Sequence, residues 1–220
     1  AGMHVERDRI AGVGVFLPLA QAPATAVRFA VERAVRAVGV APLRWRTPPT
    51  DPDALGAYAR KTQPQYQQSL VDAGVGDRAF RMRTAYSAVE KAIAAFGDSQ
   101  AALVCASSGS VVYKAMLSSD DLERYYADLR DPLCVSRFAV FHSRFSTNTS
   151  ASWRLVQPFR HIAHNGEFNT VNGNRAWLRA RGVAVPTGAS DAHDFIIAVD
   201  ALLDGRYAID DAVDLLLGAA

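Results

Sequence analysis

The sequence predicts an α+β fold in which helices cover antiparallel sheet. Two observations carry that prediction. Strand-like runs occur in pairs mixed with helical segments, without the steady β-α-β alternation that a parallel sheet requires. Half of the 220 residues are hydrophobic and 21% are charged, a composition that can fill a real core at this length.

The elements follow in order. Residues 10–19, IAGVGVFLPL, are an apolar, Val-rich run ended by proline and read as a buried strand. A helix follows over ATAVRFAVERAVRAVGV. Val27, Ala30, Val31, Ala34, Val35 and Val38 recur there at helical spacing, and Gly39 supplies the stop. The Pro-rich stretch after it leaves room for a short strand at 43–46, and QYQQSLVDA offers another. DRAFRMRTAYSAVEKAIAAFG predicts a long amphipathic helix closed by Gly97, with Phe80, Met82, Ala85, Ala88, Ala92 and Ile93 facing inward.

AALVCASSGSVVYKAML reads as two strands around the turn SSGS. Ser118 opens a helix over SSDDLERYYADL, with Asp121 placed for a capping box. RFAVFHSRF alternates as a strand would, and FRHIAH reads as one more strand. GNRAWLRARG, AHDFIIAVDALLDG and AIDDAVDLLLGA read as helices. No repeat or low-complexity linker interrupts the chain, so residues 1–220 are expected to form one domain.

Several function classes are disfavoured. The formal charge is +2, from 24 basic and 22 acidic side chains, and lacks the basic excess of a nucleic-acid binder. No apolar run reaches the roughly 20 residues of a membrane span, and residues 1–10 do not read as a secretion signal. The cysteines, Cys105 and Cys134, show neither disulfide-scaffold nor zinc spacing, so no metal site and a cytoplasmic location are expected. Both read as buried, inert thiols. GVG at 12–14 lacks the third glycine of a dinucleotide loop, and GASDA at 188–192 ends in Ala where a nucleophile elbow needs Gly. His161 and His164 would point to opposite faces of a strand and could not chelate together.

The densest polar region runs from 137 to 191. HSRFSTNT supplies Arg144, Ser146, Thr147 and Asn148. HIAHNGEFNTVNGNR supplies two Asn-Gly pairs, at 165–166 and 172–173. Asn165 offers a side-chain amide, and Gly166 lets the adjacent backbone N–H turn outward. That is the make-up of an oxyanion hole. Arg144 is a fork for a carboxylate, and Asp191 could receive an ammonium group. The plainer alternative is a hairpin turn at Asn165-Gly166 with helix caps at Ser190 and Asp191.

These residues resemble the glutamine amidotransferase domain of the glutamate synthase large subunit. HSRFSTNT, SWRLVQPFRHIAHNGEFNTVNGNRAWLRAR and the later SD…LLDGR match that family in order and spacing. GVGVFLP, VVYKAML and LERYYADLRDP match more weakly. The resemblance implies an N-terminal nucleophile hydrolase fold, a four-layer α-β-β-α sandwich of antiparallel sheets. It implies hydrolysis of L-glutamine to glutamate and ammonia, the ammonia serving reductive transfer to 2-oxoglutarate. Arg144 would hold the α-carboxylate, Thr147 and Asn148 would line the pocket, and Asp191 would take the α-amino group. Asn165 and Gly166 would form the oxyanion hole, with Glu167 beside them. No cofactor is implied for this segment. FMN and an iron–sulfur cluster are implied for the full-length enzyme, whose other domains and small electron-donating subunit would be the partners.

The family's nucleophile is a cysteine at a processed N-terminus, with its α-amine as base. Here residue 1 is Ala, and neither Cys105 nor Cys134 has a Cys-Gly-Val-Gly context. The expectation is therefore an N-terminally truncated domain, inactive alone. A glutamine-binding regulatory module and an interaction domain whose Asn-Gly pairs are only turns are the alternatives.

Overall fold

A computed structural model describes residues 6–18, 21–97, 101–143, 152–160, 162–164, 166, 168, 170–185, 190–205 and 207–218. The chain divides into two compact units. One comprises residues 1–139 and 152–154, the other 140–151 and 155–220.

The first unit is built on a four-stranded antiparallel sheet, in the order β2-β3-β1-β4. β1 (Ile10–Leu17) is central, as its apolar sequence requires. It pairs with β3 (Gln65–Asp72) from Ile10↔Asp72 to Leu17↔Gln65, and with β4 (Ala102–Ser107) across a bulge at Gly14/Val15. β2 (Ala41–Arg46) pairs with β3.

α1 (Gln21–Ala37) and α3 (Arg78–Ala94) bury their apolar stripes in one cluster with Ala11, Val13, Val15 and Leu17 of β1. In α1 the stripe is Ala24, Val27, Val31, Ala34 and Val35, as the spacing predicts. A fully buried valine contributes about 1.5–3 kcal/mol relative to an exposed one. Gly39 ends the helix in the left-handed region at φ +76°. Its N–H bonds the Arg36 carbonyl at 3.1 Å, and the Val40 N–H bonds the Val35 carbonyl at 3.0 Å, so two orphan acceptors are satisfied.

In α3 the buried residues are Met82, Ala85, Tyr86, Val89 and Ile93, with Ala88 and Ala92 partly buried. Phe80, expected inside, is 45% exposed. It lies in the first turn, where its N–H bonds the Asp77 cap at 2.9 Å and its ring meets the Arg83 guanidinium. Its place in the helix is set by the cap, away from the buried stripe.

A second cluster joins Phe16, Tyr66, Ala102 and Val104 to Ala54 and Leu55, to Ala59 of α2 (Ala57–Thr62), and to Tyr125 and Tyr126 at α4 (Leu122–Tyr125). Residues 111–117, expected as a strand, form none. Their backbone bonds side chains instead of a ladder. The Tyr66 hydroxyl donates to the Val112 carbonyl at 2.7 Å, the Tyr126 hydroxyl to the Lys114 carbonyl at 2.7 Å, and the Met116 N–H to Gln63 Oε1 at 3.2 Å. The helix expected from Ser118 is broken into a 3₁₀ turn at Ser119–Asp121, the four residues of α4 and a 3₁₀ turn at Ala127–Arg130, with no capping bond from the Ser118 side chain. Residues 137–143 also form no strand; the Phe138 carbonyl accepts from the Ser136 hydroxyl at 2.6 Å. Cys134, read as buried, is exposed beyond the tight turn that its N–H closes on the Asp131 carbonyl.

The second unit is helical among the described residues, with α5 (Val171–Ala180), α6 (Asp191–Asp204) and α7 (Ile209–Gly218), and α6 touches both others. No strand forms among the described residues of FRHIAH, where the Phe159 N–H instead donates to the Ile162 carbonyl at 2.9 Å. No helix among the described residues is long and apolar enough to cross a membrane.

Candidate functional site

The N-terminus of α6 begins at Ser190, whose hydroxyl accepts from the His193 N–H at 3.1 Å. This is the cap expected of a serine at that position, and it satisfies one orphan donor. The next residue, Asp191, uses both carboxylate oxygens. Oδ1 accepts from the Ala192 N–H at 2.8 Å, and Oδ2 accepts from the Phe168 N–H at 3.1 Å. The second bond joins α6 to the segment that follows Gly166, since Phe168 lies two residues beyond it. An ionised carboxylate has about four lone-pair sites, so these two bonds orient Asp191 and leave it able to accept more.

The chain is held on both sides of Gly166. Ahead of it, the His164 N–H donates to Gln157 Oε1 at 2.8 Å. Behind it, the Phe168 ring stacks on Phe195 of α6 at 4.5 Å and 16°, and the His164 ring meets Phe168 edge-on at 4.7 Å. Gly166 itself is exposed between these anchors. The second pair, Asn172-Gly173, lies in the first turn of α5 after Thr170, which takes the left-handed conformation at φ 61°.

Buried charge supports the same helix. Arg175 of α5 donates through Nε to Asp194 Oδ2 at 2.7 Å, and Asp194 is almost fully buried. Burial pushes the Asp194 carboxyl up from its ordinary range, while the Arg175 guanidinium opposes that rise. Arg160 pairs with Asp200 at 2.7 Å, both side chains nearly buried. The helix read at GNRAWLRARG thus turns one of its basic side chains, Arg175, to the interior. Its guanidinium is a partner for a buried carboxylate, while Leu178 packs inward and Arg181 covers the Trp177 ring at 3.7 Å.

Of the residues expected to form the site, Gly166 and Asp191 are described, and the Phe168 N–H connects their segments. Arg144, Thr147, Asn148, Asn165 and Glu167 lie outside the described residues. Phe168, Phe195, Arg175 and Asp194 were not anticipated. The available signal was the i, i+4 spacing of Asp191 and Phe195, which puts a carboxylate and a ring on one face of α6. Among the described residues no group of three or more His, Cys, Asp or Glu could hold a metal ion.

Comparison with known proteins gives this geometry a family. The model for class-II glutamine amidotransferases matches residues 1–219. The chain belongs to the class-II glutamine amidotransferases. It is 35% identical over 214 residues to the ferredoxin-dependent glutamate synthase of Oryza sativa, and 37% identical over 221 residues to ferredoxin-dependent glutamate synthase 2 of Synechocystis. The large chain of the NADPH glutamate synthase of Azospirillum brasilense is 36% identical over 196 residues. These matches cover 94%, 96% and 86% of this amidotransferase chain but only 13%, 14% and 13% of the respective synthases. The chain thus spans a small fraction of the length of its relatives.

Proposed function

We propose that this chain is the glutamine-hydrolysing domain of a glutamate synthase, with residues 1–220 as one domain of a four-layer α-β-β-α sandwich. One observation supports it most directly: the Asp191 carboxylate accepts from the Phe168 N–H, so the helix end offering negative charge is tied to the segment that follows Gly166. In this reading Arg144 takes the glutamine α-carboxylate, Asp191 takes the α-ammonium, and Thr147, Asn148 and Glu167 line the pocket. A thiolate attacks the side-chain amide carbon and forms a C–S bond. The carbonyl electrons move onto oxygen, where Asn165 and Gly166 stabilise them. Collapse expels ammonia, the nitrogen taking up a proton, and water then cleaves the thioester to glutamate. Neither Cys105, on β4 beside Tyr66, nor the exposed Cys134 is assigned as that thiolate.

The ammonia would serve reductive transfer to 2-oxoglutarate elsewhere in the synthase, in the cytoplasm. There FMN and an iron–sulfur cluster would carry the electrons, supplied through a small electron-donating subunit.

The test has two parts. The 220-residue chain should bind L-glutamine in a calorimeter and release no ammonia, and Asp191→Asn should abolish the binding heat. In the polypeptide that also carries a Cys-Gly-Val-Gly segment, Asn165→Ala should lower turnover about 10²–10³-fold, roughly 3–4 kcal/mol, the usual cost of one oxyanion donor. An unchanged rate removes that role. Glutamine binding without ammonia release from that longer polypeptide selects the regulatory-module alternative.

A further inference from the structure

Asp191 and Phe195 stand one turn apart on the same face of α6 and grip the same residue twice. The carboxylate takes the Phe168 backbone N–H at 3.1 Å, and the ring stacks on the Phe168 side chain at 4.5 Å. A single hydrogen bond would leave Phe168 free to swivel about it. Adding the ring contact removes that freedom, because displacement of the side chain now costs a stacked aromatic pair. The His164 ring closes on Phe168 at 4.7 Å, and the His164 N–H is itself held by Gln157. His164 and Phe168 are therefore anchored on either side of Gly166, which stays exposed.

We propose that Phe195 is a positioning residue for the amidotransferase site: through its stack on Phe168 it fixes the Gly166 turn relative to the Asp191 carboxylate. This deepens the function proposed above and rests on it for its consequence in turnover. A backbone donor aimed at a developing oxyanion contributes only while it is held in place, and displacement of about 0.5 Å weakens it. In this role Phe195 acts through Phe168 and not on a reacting atom. It couples the donor half of the site to the ammonium half, so its loss should reduce kcat more than it changes KM.

Two readouts separate this proposal from the one beneath it. The first needs no activity: amide hydrogen exchange at Phe168 in the 220-residue chain. Phe195→Leu and Phe195→Met should each accelerate it at least about tenfold, with central α6 amides such as Val199 unchanged, and Phe195→Tyr should stay within about twofold of wild type. The second is glutaminase kinetics in the polypeptide carrying the nucleophile segment. There the Leu and Met variants should lose about tenfold or more in kcat with KM within threefold, and Tyr should restore it. Wild-type exchange at Phe168 in both the Leu and Met variants overturns the positioning role. Equal acceleration along all of α6 overturns it too, since Phe195 would then only support the helix. A wild-type polypeptide that neither binds nor hydrolyses glutamine sinks the functional reading, while the exchange measurement still decides whether Phe195 sets the turn.

Discussion

The two units keep water out by different means. In the first, β1 runs between two apolar clusters, and Val13, Val15 and Leu17 are fully buried. The buried charged side chain there, among the described residues, is Lys114. In the second, α6 alone buries His193, Asp194 and Asp200, and arginines from neighbouring segments answer both carboxylates. Apolar burial is non-directional and scales with area. An ion pair in the interior is directional, and removing one member leaves a charge without compensation. The sheet unit should therefore lose stability in proportion to volume removed, and the helical unit in proportion to charge left stranded.

The largest effect should come from Phe16→Ala. Phe16 is 1% exposed and packs edge-on against Tyr66 at 5.5 Å and against Trp153 at 4.7 Å. Truncation should cost about 3–5 kcal/mol, the range for a buried phenylalanine. Chemical denaturation followed by tryptophan fluorescence measures it. A loss below about 1 kcal/mol would show that the aromatic cluster collapses around the gap, and would weaken the contrast between the units.

Lys114 sharpens the contrast from the other direction. Burial pushes its ammonium down to about 8 from 10.5, with the Cys105 sulfur opposing. Its folded-state pKa thus lies below its unfolded value, and between the two the unfolded chain binds more protons. Stability should be lowest, on this account, below pH 8 and should rise as pH increases toward 10, by up to roughly 3 kcal/mol in all. The buried tyrosines bound the window. Burial raises Tyr66 and Tyr126, so their contribution is lost as pH climbs past the ordinary tyrosine value of 10. Melting temperatures from pH 7.5 to 10 should rise for wild type and stay flat for Lys114→Met. Equal slopes would remove Lys114 as the cause.

Arg175→Met asks the corresponding question of the helical unit. It strands the Asp194 carboxylate, which is 2% exposed, while Arg175 is itself 25% exposed and only partly desolvated. About 2–3 kcal/mol should be lost, toward the lower end for a broken buried pair. The double variant Arg175→Met with Asp194→Leu should recover most of it, because the stranded charge is gone. Failure to recover would mean that the pair contributes attraction beyond relief of the buried carboxylate.

This difference also explains what the sequence discloses. β1, α1 and α3 are readable because apolar residues recur at the period of the element that buries them, and Gly39 marks a real stop. Residues 111–117 follow a turn as an apolar run and residues 137–143 alternate, both as strands do, yet such a pattern describes a pleated surface and not a partner for it. Tyr66, Tyr126 and Gln63 take the backbone groups of the first segment, contacts far apart in sequence that no local pattern encodes. At the candidate site, Gly166 and Asp191 are legible through chemistry and through the family resemblance. Phe168 on Phe195 and Arg175 on Asp194 are not, because each links segments whose apposition depends on how α5 and α6 fold back on one another.

The smallest expected effect isolates burial from geometry. Arg36 donates to Glu32 at 3.0 Å, close to the 2.7 Å of Arg160 and Asp200, and both pairs join a guanidinium to a carboxylate. Their surroundings differ: the side chains are 56% and 28% exposed in α1, against 9% and 12% in the second unit. Water already stabilises Arg36 as a separate charge, and holding two long side chains together costs rotamer entropy, which offsets the attraction. Arg36→Ala should therefore cost at most about 0.5 kcal/mol and less in 1 M salt, as exposed pairs one turn apart do. Glu32 keeps the Trp45 indole N–H at 2.9 Å, so the substitution leaves that anchor of β2 in place. A loss above about 1 kcal/mol, measured by denaturation at low and high salt, would show that the short contact carries the energy whatever surrounds it, and the distinction between the units would then rest on the apolar clusters alone.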